Sequence, residues 1–187
     1  MIVRQAEIKL GDIVVDVGCG TGFLTSQAAK AVGRRGKVIG IDLSEEMLEK
    51  AYENMTKTGN KEKVEFKMGD AENIPLEDEI ADAVIGNMIL HHCPEPKSAI
   101  REMARILKTN GRLVLSDLEE HSEEWLRTEM ADIWLGFSAL KVKKWLREAH
   151  LKAIEILPAR SKCCGVSLAG RKAAIGIFIA KGVKRLR

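Results

Sequence analysis

This chain of 187 residues has no CxxC cysteine pair, few aromatic residues and a low net charge. Its four cysteines are Cys19, Cys93, Cys163 and Cys164. Because none belongs to a CxxC pair, we expect no metal site and no disulfide framework. Thirty basic and 27 acidic residues give a net charge of only +3, so no strong field favours a nucleic-acid partner. The sequence also lacks a membrane-spanning apolar run and a signal-peptide pattern, which predicts a cytoplasmic protein without a membrane span.

The most informative motif is the segment 14–22, VVDVGCGTG, an apolar run that ends in three alternating glycines. It predicts a buried strand followed by a tight turn, where a ligand comes close to the backbone because glycine has no Cβ. A dinucleotide fingerprint needs glycine where Phe23 stands, and a P-loop needs a lysine before Lys30. The turn therefore favours a nucleotide-like ligand held by backbone groups and carboxylates, with no phosphate at a helix N-terminus.

Strand-like and helix-like segments alternate after this turn. Further strands are predicted at 37–41, 64–68, 81–87 and 112–116. Helical spacing predicts a first helix that Gly33 stops and a second that Ser44 caps. A third helix is expected to begin at Pro96 and to end at Asn110 and Gly111. The predicted buried face of the second helix consists of Met47, Leu48, Ala51, Tyr52 and Met55.

The end of the chain predicts two closing strands, at 152–157 and 173–180, joined by a loop that contains Cys163 and Cys164. A connection without a helix implies an antiparallel pair at the edge of the sheet. Strands joined by helices imply right-handed crossovers and a parallel sheet. The predicted fold class is therefore α/β: a Rossmann-like, doubly wound sheet of seven strands, mostly parallel, with an antiparallel C-terminal edge strand.

Polar positions follow several of the predicted parallel strands. They are the 16–22 turn, Asp42, Asp70 and Asn87. In sheets of this kind, ligands bind at the carboxyl ends of the strands, where the strand order reverses. The sequence thus predicts one ligand site that all of these positions share.

These residues resemble the class I S-adenosylmethionine-dependent methyltransferases, most closely the ubiquinone and menaquinone biosynthesis branch. The resemblance covers residues 10–118 and rests on four motifs: VDVGCGTG, GIDLS, GDAE and LHH. It implies that S-adenosylmethionine is the cofactor and S-adenosylhomocysteine the product, with Asp42 on the ribose hydroxyls and Asp70 on the adenine amino group. The cofactor-binding residues implied in this way are Asp16, Gly18, Cys19, Gly20, Thr21, Gly22, Asp42, Leu43, Met47, Asp70, Ala71 and Asn87.

Methyl transfer needs a nucleophile in line with the sulfonium methyl group, so positioning and desolvation supply most of the catalysis. The LHH motif makes His91 and His92 the catalytic candidates, because an imidazole that titrates near neutral pH can take a proton from a phenol, enol or thiol acceptor. A histidine that packs beneath the adenosine without proton chemistry is the alternative. The expected acceptor is a small molecule, not a nucleic acid.

Residues 1–187 are predicted to form one methyltransferase domain, with a cofactor-binding core at 1–118, an acceptor lid at 119–150 and closing strands at 151–187. The lid holds all three tryptophans, and Trp125, Met130, Trp134 and Phe137 have the spacing of a helix core. Strand one follows only about ten residues of chain, so a partner subunit in a homodimer is a second way to close the pocket.

Three alternatives stay open at this point. Dispersed cysteines keep an arsenite methyltransferase in consideration, because adjacent thiols capture metalloids. A protein that binds S-adenosylmethionine without catalysing transfer would show the same glycine turn and acidic residues. A nicotinamide-dependent oxidoreductase is disfavoured by Phe23, which replaces the third glycine of the dinucleotide fingerprint.

Overall fold

The computed structural model describes residues 2–59 and 61–185. Within these ranges, strands and helices alternate as the sequence predicts. The strands are β1 (Ile13–Val17), β2 (Lys37–Asp42), β3 (Val64–Met68), β4 (Ala81–Asn87), β5 (Leu107–Leu118), β6 (Leu151–Val166) and β7 (Lys172–Lys184). The helices are α1 (Ile2–Gln5), α2 (Phe23–Ala31), α3 (Glu45–Thr58), α4 (Pro96–Arg105), α5 (Trp125–Glu129) and α6 (Ala139–Glu148). No helix in this part of the chain is both long and apolar enough to cross a membrane.

The seven strands form one sheet in the order β3-β2-β1-β4-β5-β7-β6. The first five run parallel, whereas β7 is antiparallel to both β5 and β6. The final hairpin thus forms the edge of the sheet, with β7 inside and β6 outermost. The predicted fold class is confirmed. The strand order reverses between β1 and β4, which is where such sheets bind their ligands.

Helices cover the sheet on both faces, and neighbouring residues of β1 show why. Val15 and Val17 belong to one buried cluster, which includes residues of α4 and α6, whereas Val14 belongs to a second cluster with residues of α1 and α2. Because successive side chains of a strand point to opposite faces, an apolar run is buried on both sides only when both faces are covered. The continuous apolar sequence of β1 is therefore explained by the two layers of helices.

The start of α3 follows the sequence prediction, but part of its buried face does not. The Ser44 hydroxyl accepts a hydrogen bond from the backbone N–H of Met47 at 3.3 Å, which confirms the predicted N-cap. Ala51 and Met55 are buried as expected. Tyr52 is 49% exposed, so its predicted burial was wrong. It lies beside the Lys61 ammonium group, which is 4.4 Å from the ring centroid and favours an exposed position.

Helix α4 ends at Arg105, five residues earlier than the predicted end at Asn110. The reason is the adjacent strand: the N–H of Ala81 donates to the carbonyl of Ile106, and Leu107 pairs with Ala81 at the start of β5. Residues that have helical spacing in the sequence therefore belong to β5 in the structure. Asn110 then adopts a φ of +67° where the β4–β5 register shifts.

Two predictions for the last third were also wrong. Cys163 and Cys164 lie within β6, paired with Ile175 and Ala174 of β7, and not in a connecting loop. The turn of this hairpin lies further along, where the N–H of Ser167 donates to the carbonyl of Arg171. The predicted helix with the tryptophans is limited to α5, and Met130 just after it is 59% exposed. The following segment is irregular because its backbone bonds to other parts of the protein, as described below.

Candidate active site

A cavity of about 850 Å³ opens at the carboxyl ends of β1, β2, β3 and β4. Its volume is within the range of small-molecule sites. Eleven of the predicted site residues line it: Gly18, Cys19, Gly20, Thr21, Asp42, Leu43, Met47, Asp70, Ala71, Asn87 and His92. The lining residues that the sequence did not predict are Phe23, Ser44, Gly69, Met88, Ile89, Cys93 and Pro94. The four rim positions predicted from the strand ends therefore come together around one space.

Three predicted site residues, Asp16, Gly22 and His91, do not line this cavity. Gly22 has a φ of +81°, and a Cβ there would lie 3.2 Å from the Cβ of Ala51 in α3. Its small size therefore allows α2 and α3 to pack closely. Asp16 and His91 are buried and have partners of their own.

The β1–α2 turn is held by the neighbouring strand. The N–H groups of Gly18 and Cys19 both donate to the carbonyl of Ile41 at the end of β2, at 2.8 and 2.9 Å. Gly20 has a φ of +51°, and a Cβ on it would have no heavy atom within 4 Å. Because Gly20 also lines the cavity, its missing side chain leaves room for a ligand against the backbone.

Asp42 is oriented by two backbone donors. Its Oδ2 accepts from the N–H of Gly20 at 2.7 Å, and its Oδ1 accepts from the N–H of Ser44 at 3.0 Å. A carboxylate oxygen has two lone-pair sites, so each oxygen keeps one for a ligand. The pair of free acceptor sites suits a vicinal diol, which offers two hydroxyl protons side by side.

Asp70 and Asn87 complete the polar rim from the next two strands. Asp70 Oδ1 accepts from the N–H of Glu72 at 2.8 Å, which fixes the carboxylate at the start of a turn. The Asn87 carbonyl oxygen accepts from the Ser116 hydroxyl at 2.7 Å. Because Asn87 lines the cavity and its oxygen is occupied by this bond, its NH₂ group is the part that can donate to a ligand such as a carboxylate. The rim thus combines acceptors on one side with a donor on the other.

Asp16 is a buried structural residue behind the rim. Its carboxylate accepts a hydrogen bond of 2.6 Å from the Thr25 hydroxyl and so connects β1 to α2. Burial raises the pKa of Asp16 from 3.8 to about 6, and the negative charge of Asp42 adds to this increase. The hydrogen bond from Thr25 opposes it.

His91 and Asp117 form a buried pair beside the cavity. Their Nδ1 and Oδ1 atoms are 2.7 Å apart, and a carboxylate only accepts, so Nδ1–H donates. Asp117 also accepts from the N–H groups of Leu90 and Leu118. Burial alone would lower the pKa of His91, but the hydrogen bond and charge of Asp117, with the charge of Asp132, outweigh burial and raise it.

His92 is exposed and is the histidine that lines the cavity. Its Nδ1 is 3.3 Å from the carbonyl oxygen of Ala131, which can only accept. The proton of the neutral ring is therefore on Nδ1, and Nε2 carries the lone pair that a general base needs. The rings of His91 and His92 are 4.1 Å apart between centroids.

Residues 119–137, which we call the covering segment, connect β5 to α6 and approach the two histidines. The N–H groups of Ile133 and Trp134 both donate to the carbonyl of His91, at 2.9 and 3.1 Å. The Trp134 indole N–H donates to the carbonyl of Cys93 at 2.9 Å. Phe137 is buried and bonds through its N–H to the carbonyl of Leu118. The covering segment is thus attached beside the cavity mainly by backbone bonds.

Sequence reasoning missed Asp117 and Asp132. Asp117 follows the apolar run of β5, and its position near a strand end is a signal that could have identified it. Asp132 gives no such signal, because it lies in an irregular segment and only the folded chain brings it near His91.

A second cavity, of about 680 Å³, lies at the opposite ends of the strands. Glu79 before β4, Arg105 before β5 and Lys184 at the end of the antiparallel β7 line it. Ligands of parallel α/β sheets bind at the carboxyl ends, so we place the site in the larger cavity.

The sheet with its antiparallel final hairpin, the glycine turn and the acidic rim together define the class I methyltransferase fold. A family model described as a methyltransferase domain matches residues 8–152, and the chain belongs to this family. The resemblance found in the sequence is thereby confirmed.

Relatives within this family differ in what they act on. An arsenite methyltransferase of Halobacterium salinarum is 34% identical over 159 residues, covering 82% of this chain and 40% of that protein. A demethylmenaquinone methyltransferase of Desulfitobacterium hafniense is 33% identical over 138 residues, covering 74% and 53%. The crystal structure of an S-adenosylmethionine-dependent methyltransferase from Aquifex aeolicus superposes with a TM-score of 0.72 at 26% identity, covering 97% and 87%. The chain therefore spans less than half of the length of the first curated relative and about half of the length of the second.

Proposed function

We propose that this protein transfers a methyl group from S-adenosylmethionine to a small-molecule acceptor by in-line displacement. The observation that carries the proposal is the rim: the glycine turn, Asp42, Asp70 and Asn87 all line one cavity, and backbone donors orient both carboxylates. These donors and acceptors match the groups of the proposed cofactor.

Each part of the rim fits one part of S-adenosylmethionine. The two free acceptor sites of Asp42 suit the ribose diol, and Asp70 with the Ala71 backbone suits the adenine edge. Asn87 and the turn at 18–21 suit the methionine portion, where Gly20 leaves space for close approach. When bound, the cofactor supplies an electrophilic methyl group on a sulfonium. Leu43 and Met47 add apolar surface next to Asp42.

The acceptor is expected on the side of the cavity that His92, Cys93 and Pro94 line. Met88 and Ile89 make this side partly apolar. We propose that His92 takes a proton from the acceptor, because its Nε2 lone pair is available at the cavity. His91 holds the adjacent backbone in place, bonded to Asp117 and to the covering segment. The division into a core at 1–118, a lid at 119–150 and closing strands at 151–187 is part of this proposal, with the covering segment as the part of the lid beside the histidines.

Metalloid methylation is the second candidate, and the position of Cys93 favours it. Cys93 lines the cavity, and burial, followed by the charge of Asp132, raises the pKa of the half-buried Cys163. Burial, followed by the charges of Glu72 and Asp70, raises the pKa of Cys93 to about 12, so this residue is a neutral thiol at neutral pH. A neutral buried thiol is a weak ligand until it loses its proton, which places this candidate second.

The test is formation of S-adenosylhomocysteine by the purified protein with two acceptors, a reduced naphthoquinone and arsenite with a thiol reductant. We expect turnover with the quinol and a loss of at least about tenfold in kcat for His92→Gln. Faster turnover with arsenite that the Cys93→Ser variant loses would favour the second candidate. Tight cofactor binding without turnover on any acceptor of a wider phenol, enol and thiol panel would support a non-catalytic binding protein.

A homodimer and a cytoplasmic location stay predictions from the sequence. Light scattering of the purified protein gives the mass that tests the dimer.

A further inference from the structure

Three electron-pair donors come together where the covering segment meets the two histidines. One ring nitrogen each of His91 and His92 and a carboxylate oxygen of Asp132 lie within 4.8 Å of one another. His91 and Asp132 are buried, whereas His92 is exposed toward the cavity. The expectation of no metal site rests on the spacing of the cysteines, and none of these three residues is a cysteine.

His91 is oriented as metal-bound histidines usually are. Its Nδ1–H donates to Asp117, which fixes the tautomer and leaves the Nε2 lone pair directed away from that carboxylate. Nε2 is 3.9 Å from Asp132 Oδ1, which is too long for a hydrogen bond. Two ligands that each lie about 2.1 Å from one ion are about 3.4 Å apart in a tetrahedral site and at most about 4.2 Å. A shift of about half an ångström would let both bind the same ion.

The buried Asp132 carboxylate has a cationic partner only at a distance too long for a hydrogen bond. It is 5% exposed, and in the described part of the chain its recorded ion partner is His91, with 3.9 Å between Nε2 and Oδ1. Backbone bonds hold it in place on both sides, because the N–H of Asp132 donates to Leu126 and that of Ile133 to His91. A buried negative charge held in this way requires a cation or a proton close by.

A fourth group supports the same conclusion. Burial lowers the pKa of His121, and the nearby charge of Asp132 opposes this decrease. Its Nδ1 accepts from the N–H of Glu123 at 3.2 Å, so the proton of the neutral ring is on Nε2. That Nε2 is buried and has no hydrogen-bond partner among the described residues. A water or anion on a nearby ion would supply the missing acceptor.

We propose that His91, His92 and Asp132 bind a divalent transition-metal ion such as Zn²⁺. Two imidazoles and one carboxylate are a ligand set that binds zinc and leaves a coordination position open. Because His92 also lines the cavity, that position lies on the acceptor side. An acceptor with an anionic oxygen or sulfur is the class that such an ion would hold, with His92 then acting as a ligand and not as a base. This consequence for the acceptor rests on the proposed function, whereas ion binding itself does not.

The test is titration of the chelator-treated protein with Zn²⁺ by calorimetry and with Co²⁺ by visible absorption. We expect one ion per chain and ligand-field bands of Co²⁺ bound to nitrogen and oxygen. Asp132→Asn and His92→Gln should each weaken Zn²⁺ binding at least about tenfold. The control variant Asp78→Asn makes the same chemical change at an exposed position and should leave the Kd within about twofold.

Three outcomes would overturn the proposal: no stoichiometric binding by the folded wild-type protein, an unchanged Kd in Asp132→Asn, or loss of binding in a Cys163→Ser, Cys164→Ser variant. The first would mean that a proton on His91 compensates Asp132. Titration of each variant with S-adenosylmethionine is run in parallel. Unchanged cofactor affinity in Asp132→Asn shows that the variant is folded and separates failure of the metal site from failure of the proposed function.

Discussion

The rim and the covering segment are built by different means, although the rim lines the cavity and the covering segment is attached beside it. Each part of the rim follows a parallel strand directly, and strand-to-strand bonds such as Gly18 N–H to the Ile41 carbonyl fix it. The covering segment has one short helix and is attached by bonds to His91, Cys93 and Leu118. The rim is therefore a property of the sheet, whereas the covering segment can vary without changing the sheet. Cofactor affinity and acceptor use should accordingly respond to different substitutions.

The largest expected effect is at Asp117, which holds His91, the residue whose carbonyl accepts two backbone bonds from the covering segment. In the wild type, the Asp117 carboxylate accepts hydrogen bonds from Leu90, His91 and Leu118. Asp117→Asn keeps the shape of the side chain but places an NH₂ group, itself a donor, against these donors. Loss of one partner of a buried charged pair should lower the free energy of unfolding by about 4 kcal/mol. Urea denaturation measures this loss, with Asp78→Asn as the exposed control. A loss below about 1 kcal/mol would show that Asp117 is not a buried charged partner of His91.

The pH dependence of the free energy of unfolding tests the burial of Asp16 behind the rim. Its pKa of about 6 in the folded protein exceeds the 3.8 of the unfolded chain, so the folded state binds more protons between these values. The stabilisation is complete below pH 3.8 and is lost as the pH rises through 6. The free energy of unfolding of wild type relative to Asp16→Asn should fall by between about 2 and 3 kcal/mol from pH 4 to 7. A difference that is constant with pH in urea denaturation would contradict the burial of an ionisable carboxyl group here.

Asp42 should affect the rim alone. Asp42→Asn retains one acceptor oxygen but loses the charge and one acceptor site for the diol, so affinity for S-adenosylmethionine should fall about 30-fold, or about 2 kcal/mol. Calorimetric titration measures the change. Asp78→Asn should bind as wild type does, and equal affinity in Asp42→Asn would remove the carboxylate from the proposed site.

A substitution of Trp134 should affect the covering segment alone, and its effect should be the smallest of the four. Trp134→Phe loses the 2.9 Å indole bond to the Cys93 carbonyl, which is worth about 1 kcal/mol. The KM for the acceptor should change about fivefold while the Kd for the cofactor stays the same. Trp145→Phe is the matched control. Trp145 lies in α6 and packs on Phe137, with 5.3 Å between the two ring centroids. A changed cofactor Kd in Trp134→Phe would mean that the two regions are not independent.

The same contrast explains how much the sequence could predict. The rim residues are local to strand ends, so the spacing of apolar runs was enough to bring Asp42, Asp70 and Asn87 together. The end of α4 was missed because pairing of Leu107 with Ala81 is a long-range contact. The loop predicted around Cys163 and Cys164 is wrong for the same reason, because long-range pairing with β7 extends the strand through both residues.

The partners of the histidines could not be predicted for the same reason. Asp117 and Asp132 are 26 and 41 residues from His91 along the chain. Only the adjacency of β4 and β5 and the folding back of the covering segment bring them to the same ring. The LHH motif is visible in the sequence, but the two carboxylates beside His91 are not.

The central claim is that the rim binds a sulfonium nucleoside and not a dinucleotide. Calorimetric titration of the wild-type protein with S-adenosylmethionine and, separately, with NAD tests it most directly. The structure leads us to expect one S-adenosylmethionine per chain and no measurable NAD binding at the same concentrations. Preferential binding of NAD would contradict the claim.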